Sequence, residues 1–500
     1  MKRIYNIFII VLLLSVFTGC DKFLEEDPRD IISPLNYYQT DEEVMAGVNG
    51  LYNNWYDDQL FNNYGILRFY NWGTDEIEPS RAGTGGLAQL CMYNLYEDQQ
   101  ASSVTWRVLY KIIYDANVLI GQISNNDQIS EAVKNQALGE ALFNRAFAFY
   151  HLTNIFGDVP YYRENLPLDE IQFLGRHDKN NIRNEIVEDL QQAQDVLPDI
   201  YTGDDRGRAS KWAAATLMVK INLIQQNWKA ARDKAVEIIN NSPHKLRENY
   251  KDVFDPLNEF HEENIFQIVY TKDINPQKFG NHFSPRLRDE PAKSKQRDDL
   301  EAALTEQGEV FDGTGLEVVM QDLRDKFPLD DLRRPMTICD NYLGFDLKFI
   351  YMPKYWALDF INSPRGNHGK DWVIFRLADV YLMAAEAENE LNGPANAYQY
   401  INKVRERAYE PDKPLSGLSQ QKFREAMYDE RKWELAGEGH RKMDLIRWGI
   451  LLDVVQKLEN TTYPMAENIR PYHTLWPLPA EELMKNPTLL ESDPTNNGYR

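Results

Sequence analysis

Residues 210–243 read SKWAAATLMVKINLIQQNWKAARDKAVEIINNSP, and this stretch decides the fold. Its apolar residues return at steps of three and four, the spacing of one helix face. Asn227-Trp228 interrupts the run, so 213–226 and 230–241 read as the two arms of a helical hairpin. Ala214, Ala231 and Ala235 are small enough to let the arms approach closely. Pro243 closes the unit, because a proline ring fits no helix interior.

The pattern extends outward in both directions. Residues 136–154 carry Leu138, Leu142, Phe149 and Leu152 on one stripe with Ala141 and Ala146 beside it, and stop at Phe156-Gly157-Asp158-Val159-Pro160. Residues 183–197, closed by Pro198, form another helix, and 106–123 and 42–55 add two more. Downstream, 375–408 is a second hairpin. Leu377, Val380, Tyr381, Ala384, Ala385 and Leu391 mark its first arm, Asn392-Gly393-Pro394 its turn, and Ala397, Ile401 and Val404 its second arm. A helix over 419–437 starts at Ser419, a good N-cap. Hairpins closed by proline over roughly 34 residues are similar to tetratricopeptide units. The expected fold is therefore mostly α, with tetratricopeptide-like hairpins near 136–243 and 375–440, long irregular inserts and a few short strands, one at 265–270. The inserts, about 60–100, 244–300, 305–370 and 460–500, hold most of the Pro, Gly and Asn; ordered loops of such length are usually functional. No linker divides the chain, so 35–500 reads as a single domain.

The N-terminus supplies an address. Lys2 and Arg3 precede an apolar run at 4–17, too short to cross a bilayer but right for the core of a signal peptide. It ends in Phe17-Thr18-Gly19-Cys20, which resembles a bacterial lipoprotein cleavage box, although Phe17 and Thr18 depart from its commonest residues. The reading is a signal peptide at 1–19, acylation of Cys20, and an acidic tether at 20–34 that begins Asp21-Lys22-Phe23-Leu24-Glu25-Glu26-Asp27. Several acyl chains on one residue give stable membrane anchoring, where one chain would be marginal. In lipoproteins of this type, acidic residues just after the cysteine resemble a surface-export signal. The plainer alternative is an ordinary signal peptide with an incidental cysteine.

The 500 residues include 55 Lys+Arg against 77 Asp+Glu, a net charge of −22. No basic footprint for nucleic acid is visible in that balance. Acidity also argues mildly against a polyanionic ligand, though a local basic pocket can sit inside a negative chain. The 28 Tyr, 10 Trp and 22 Phe are more rings than a core absorbs, so some are expected at the surface, where aromatic planes suit sugars or partner proteins. Cys91 and Cys339 read as buried small hydrophobes or, alternatively, as a disulfide pair. No spaced loop of calcium ligands and no metal signature is present, and no cofactor is implied.

Residues 430–448, with Glu430, Arg431, Glu434, His440 and Arg441, look catalytic at first sight. Carboxylates and arginines at helical spacing pair with one another or share partners, so the block reads as a salt-bridged corner with Gly437 and Gly439 at the helix end. No catalytic residue is assigned. His261-Glu262-Glu263 lacks the second histidine of a zincin, and 366–370 is too short for a phosphate loop. Ligand binding has better candidates. Tyr70, Trp72, Asp75, Arg81 and Tyr93 lie around a Gly-rich turn at 83–86, alongside Tyr64, Phe69, Glu76 and Tyr96; sugars stack C–H faces on rings and need polar partners at the rim. The alternative is that these rings cover the scaffold. A second cluster is Tyr270, His282 and Arg286, with Lys272, Phe279, Asn281 and Phe283. A third, Tyr342, Tyr351, Tyr355 and Trp356, is as readily core or partner-facing as ligand-facing.

Several blocks together carry a resemblance. Cys20-Asp21-Lys22-Phe23-Leu24 to Pro28, Asn36-Tyr37-Tyr38 and Gly50-Leu51-Tyr52 open it. Leu138-Gly139-Glu140-Ala141, Arg145-Ala146 and 156–160 continue it, followed by Arg376-Leu377-Ala378-Asp379-Val380-Tyr381-Leu382. Glu430-Arg431, Glu434-Leu435, Gly437-Glu438-Gly439, Arg441 and 444–449 are its most distinctive part, and Trp476-Pro477-Leu478-Pro479 with Gly498-Tyr499 close it. From end to end the chain resembles the SusD/RagB-like outer-membrane nutrient-binding lipoproteins. The resemblance implies an α-helical, tetratricopeptide-like fold and capture of glycan without catalysis. It also implies a SusC-like TonB-dependent transporter as partner, touched through a surface helix, with this chain as its external lid. Peptide or glycoprotein-derived ligand fits the same architecture. A surface glycosidase or a purely protein-binding scaffold would be the alternatives of another class.

Overall fold

The computed structural model describes residues 37–500 apart from 63–64, 82–87 and 357–365. The signal segment, Cys20, the tether at 20–34, Tyr64 and the Gly-rich turn at 83–86 lie outside the described residues. The principal helices, in chain order, are α1 (Asp41–Asn53), α2 (Gln100–Ile123), α3 (Glu131–Ile155), α4 (Lys179–Val196), α5 (Lys211–Ile224), α6 (Trp228–Asn241), α7 (Leu377–Asn392), α8 (Pro394–Arg405), α9 (Gln420–Leu435) and α10 (Arg441–Arg447).

Every helix expected from periodicity is present, but several begin earlier than the apolar stripe suggests. The start is set by a capping side chain, which lies a few residues ahead of the apolar stripe. Ser130 accepts from Val133 N, Asp178 from Asn180 N and Asn181 N, and Ser210 from Ala213 N. Ser419 accepts from Lys422 N, so the cap anticipated there is made.

From α2 to α6 each helix packs on the next in sequence. The stack then continues from α6 onto α7 and from α7 onto α8 and α9. The two hairpin regions therefore join into one array, with residues 242–376 looped out between them. Trp212 to Leu223 of α5 are buried on every face, as a helix in the middle of such a stack must be. Ala214, Ala231 and Ala235 are fully buried, where a larger side chain would hold α5 and α6 apart.

Among the described residues, the irregular inserts hold six short strands: β1 (Ile77–Pro79), β2 (Asn264–Ile268), β3 (Glu317–Val319), β4 (Cys339–Tyr342), β5 (Phe345–Tyr351) and β6 (Trp372–Arg376). They form three antiparallel pairs, β1 with β3, β2 with β6 and β4 with β5. β6 runs straight into α7, so the β2–β6 pair pins the long insert to the helical stack.

The 430–448 block is the corner where stack and inserts meet. Glu430 and Glu434, one helical turn apart on α9, share Arg333 Nη1 at 2.6 and 2.8 Å. Arg376 donates to Glu434 Oε1 and Glu438 Oε2, each at 2.6 Å, and Arg407 Nη2 donates to Glu434 Oε1 at 2.7 Å. Arg431 turns away from Glu434 and bridges Asp379 at 2.8 Å and Asp444 at 2.7 Å. Burial alone would raise the Glu434 carboxyl, but Arg407, Arg376 and Arg333 outweigh it and hold it well below the usual carboxylate range. His440 is pushed down to about 4 by burial and by Lys220, so at neutral pH it is an uncharged ring within the lattice. Gly437 closes the corner at φ +74°, where an added Cβ would sit 2.6 Å from Met352 Sδ. Cys91 and Cys339 are both buried and free, so they pack as hydrophobes and form no disulfide.

Candidate functional site

The sequence candidates divide sharply between core and rim. Trp72 is 1% exposed; its Nε1 donates to Glu317, and the Arg68 guanidinium lies 4.5 Å above its ring. Asp75 is buried and accepts from Arg441 Nε at 2.7 Å and Nη2 at 2.8 Å. Tyr70 shares a 2.6 Å hydrogen bond with His151 Nδ1, and Tyr93 donates to the Gly73 carbonyl while stacking on His473 at 5.2 Å. Tyr270 is buried edge-on to Tyr56. A ring enclosed in this way offers no face to a sugar, so the expectation of stacking on Trp72, Tyr70, Tyr93 or Tyr270 is corrected to a packing role. Phe279, Asn281 and Phe283 of the second cluster and Tyr351 of the third are core as well. All ten tryptophans are buried or only partly exposed; among the described residues the rings that do reach solvent are Tyr96, Tyr114, Phe173, Phe260 and Tyr472.

Arg81, Arg286 and the buried His282 are brought together by the fold from two distant stretches. Pairing of β1 with β3 carries Ser80 to the level of Gly315, where Ser80 N donates to Leu316 O at 2.8 Å and Ser80 Oγ to Gly315 O at 2.6 Å. Arg81 Nη2 then donates to Thr314 O at 2.8 Å. The Thr314 hydroxyl shares a 2.8 Å hydrogen bond with His282 Nδ1. Burial first, then the charges of Arg68 and Arg81, push His282 well below its ordinary value, so it is neutral and braces Thr314. Beyond Pro285 the chain makes an isolated antiparallel bridge, Arg286 opposite Asp312, and Leu287 N donates to Phe311 O at 2.9 Å.

This arrangement sets three guanidinium groups around one carboxylate. Arg81 Nη1, Arg286 Nη1 and Arg288 Nε each lie 3.8 Å from an oxygen of Asp289. That is about an ångström longer than a charge-assisted hydrogen bond, so Asp289 spaces the cations without locking them. The side chains of Arg81 and Arg288 are 41% and 68% exposed, against 17% for Arg286 and 28% for Asp289. Arg297 closes the edge by donating to Arg288 O at 2.8 Å. Arg288, Asp289, Arg297 and Thr314 were not among the sequence candidates. The run Arg286-Leu287-Arg288-Asp289, basic in an acidic chain, was the signal that could have drawn attention to them.

Other concave surfaces lie elsewhere. Tyr342 and Trp356, from the third cluster, line a cavity of about 530 Å³ with Pro335 and Asn341. A cleft of about 240 Å³ between Tyr52, Tyr56, Arg206 and Arg208 adjoins one of about 340 Å³ floored by Phe260 and Ile265. Arg208 is already bonded to Glu140 and Asn49, and Arg206 lies 4.6 Å over the Phe260 ring. Among the described residues no group of three or more ligating side chains is placed to hold a metal ion.

Comparisons with known proteins follow the whole chain. The family model described as SusD family matches residues 340–499, and one described as starch-binding associating with outer membrane matches residues 34–223. A SusD-like protein of Formosa agariphila is 50% identical over 100% of both chains. A laminarin-binding SusD-like protein superposes with a TM-score of 0.74 at 23% identity, covering 90% of this chain and 98% of its own. Surface glycan-binding protein A of Bacteroides thetaiotaomicron, solved in complex with laminarihexaose, superposes with a TM-score of 0.74 at 20% identity, covering 92% of this chain and 100% of its own. Helical stack, inserts and sequence agree from end to end, and the chain belongs to the SusD family.

Proposed function

We propose that this protein captures glycan at the bacterial surface and passes it, uncleaved, to a SusC-like TonB-dependent transporter in the outer membrane. The observation that carries the reading is full-length kinship with SusD-like proteins, together with a fold shared over 92% of the chain with a protein solved holding laminarihexaose. In this reading residues 1–19 are removed and acylated Cys20 holds the protein to the outer membrane. The acidic tether at 20–34 spans to a single domain on the exterior, which serves as the transporter's lid. The rim built by Arg81, Arg286, Arg288 and Thr314 is the ligand face. It is exposed, polar and stiffly mounted, where the block at 430–448 is saturated with its own ion pairs. No catalytic step is assigned.

The test is calorimetric titration of the purified full-length protein in detergent against neutral and acidic oligosaccharides and peptides, with chromatography of the ligand afterwards. Saturable binding to a glycan recovered intact is the expected result. Binding of peptides alone would move the protein to peptide capture, and shortened glycan products would make it a glycosidase. Delivery is tested separately, by whether the protein co-purifies with a β-barrel transporter from native outer membranes.

A further inference from the structure

The arginine rim differs from the buried corner in how its charges are shared. Arg333 and Arg376 in the corner each contact three buried carboxylates at 3.1 Å or less. At the rim the sharing is reversed: three guanidinium groups approach the same carboxylate, that of Asp289, none closer than 3.8 Å. The cations come from two segments, Arg81 from one and Arg286 and Arg288 from the other. Arg81 is held by Thr314 O, Arg288 follows the bridge of Arg286 to Asp312, and Arg297 reaches across to Arg288 O from the helix Arg297–Glu306. The backbone that carries them is held in place, so the three guanidinium groups are brought to one side of the fold. Exposed Lys293 and Lys295 lie on the segment joining Arg288 to Arg297, while Asp298 and Asp299, at the start of the helix, set its acidic limit.

A guanidinium is a planar fork whose N–H pairs match the oxygens of a carboxylate or a sulfate, and it gives up its hydration more readily than an ammonium. A neutral sugar hydroxyl can accept from a guanidinium but offers no charge to offset the repulsion between neighbouring cations, so an oxyanion gains more at such a site. The chain as a whole carries a net charge of −22 and repels polyanions, so an acidic ligand is directed to this cationic face. We infer that the rim, through the exposed guanidinium groups of Arg81 and Arg288 beside Asp289, selects glycans bearing acidic substituents, sulfate esters or uronate carboxylates. This inference rests on the glycan-capture reading and adds its substrate class.

The experiment titrates the purified full-length protein with three probes of similar length: a sulfated carrageenan oligosaccharide, an oligogalacturonate and neutral laminarihexaose. Dextran sulfate serves as a control polyanion. At least one of the two acidic oligosaccharides is expected to bind about tenfold or more tighter than laminarihexaose, with affinity falling as salt rises. Which of them binds separates sulfate from carboxylate. Arg81→Ala and Arg288→Ala are surface changes, and each is expected to weaken that binding about tenfold. Asp289→Asn removes the carboxylate that the three arginines share, and is expected to tighten it. Equal or tighter binding of laminarihexaose, insensitive to all three substitutions, would overturn the inference and leave glycan capture standing. Equally tight binding of dextran sulfate would reduce it to unspecific charge attraction and overturn it. Silence toward every probe would remove the inference and the capture reading together.

Discussion

Arg376 and Arg288 are the same side chain put to opposite uses. Arg376 is 1% exposed and touches Glu263, Glu434 and Glu438 at 2.6–3.1 Å. Arg288 is 68% exposed and meets one carboxylate at 3.8 Å. In the corner, carboxylates surround arginines and every charge is spent within the fold. At the rim, three arginines lie 3.8 Å from one carboxylate, and the guanidinium groups of Arg81 and Arg288 face outward. The two sites hold the same residue types and differ in the ratio of carboxylates to guanidinium groups and in exposure, and under the proposed function only the rim would meet ligand.

That contrast can be broken most forcefully at the corner. Arg376→Ala leaves Glu434 and Glu438 buried with part of their compensation gone, a change that typically costs about 3–5 kcal/mol. Thermal denaturation should register it as a large fall in Tm, or as failure to fold. A variant that melts like the parent would mean that the lattice is not what joins the inserts to the stack.

Acid attacks the same region. Asp444 is lowered to about 2, because Arg431 and Arg447 outweigh the effect of burial, and Asp75 and Glu434 lie lower still. A carboxylate whose folded pKa lies below its unfolded one adds stability that is complete above the unfolded value and lost as pH falls through the folded value. Stability should therefore decline below about pH 4 and keep falling to about pH 2, with each such group losing roughly 1.4 kcal/mol for every tenfold by which folding had strengthened its acidity. Denaturant midpoints measured across that window check it, and a flat profile would contradict it.

Lys442 sharpens the comparison from another side. It is a buried cation lying 5.0 Å from the Phe69 ring and 4.9 Å from Tyr93, with no carboxylate at ion-pair distance among the described residues. Burial lowers it to about 8. Its folded pKa is below its unfolded one, so it costs stability below pH 8 and the cost fades as pH rises toward 10.5. Lys442→Met should raise Tm at pH 7, by roughly 1–3 kcal/mol in stability, with the gain shrinking at high pH. A loss of stability would show that the two rings repay the buried charge. The smallest effect belongs to the rim: Arg288→Ala should move stability by less than about 0.5 kcal/mol, as expected of an exposed side chain.

The helices were legible because burial writes itself into a 3.6-residue period, and the hairpin at 210–243 could be placed within a few residues. The inserts were less so. Only the strand near 265–270 was expected, and its pairing with Trp372–Arg376 depends on residues about a hundred positions away. Trp72 and Asp75 looked like a binding rim because they sit in a loop with other polar and aromatic residues. What encloses them is Glu317 and Arg441, 245 and 366 positions distant, which no local pattern discloses. The corner at 430–448 was readable as ion pairs because Glu430 and Glu434 are helical neighbours, yet the arginine they share, Arg333, comes from the inserts. Arg81 and Arg286 were each visible singly. Their meeting at Asp289 is a product of the β1–β3 pairing, which only the folded chain reveals.

The most direct test of this division of labour is amide hydrogen exchange of the protein, alone and saturated with whichever oligosaccharide binds it tightest. Slowed exchange is predicted in the peptides covering 77–81, 280–289 and 312–317, with the corner at 430–448 unchanged. Slowing confined to the cleft between Tyr52, Arg206 and Arg208, or to the cavity beside Trp356, would contradict that division and place the ligand elsewhere on the molecule.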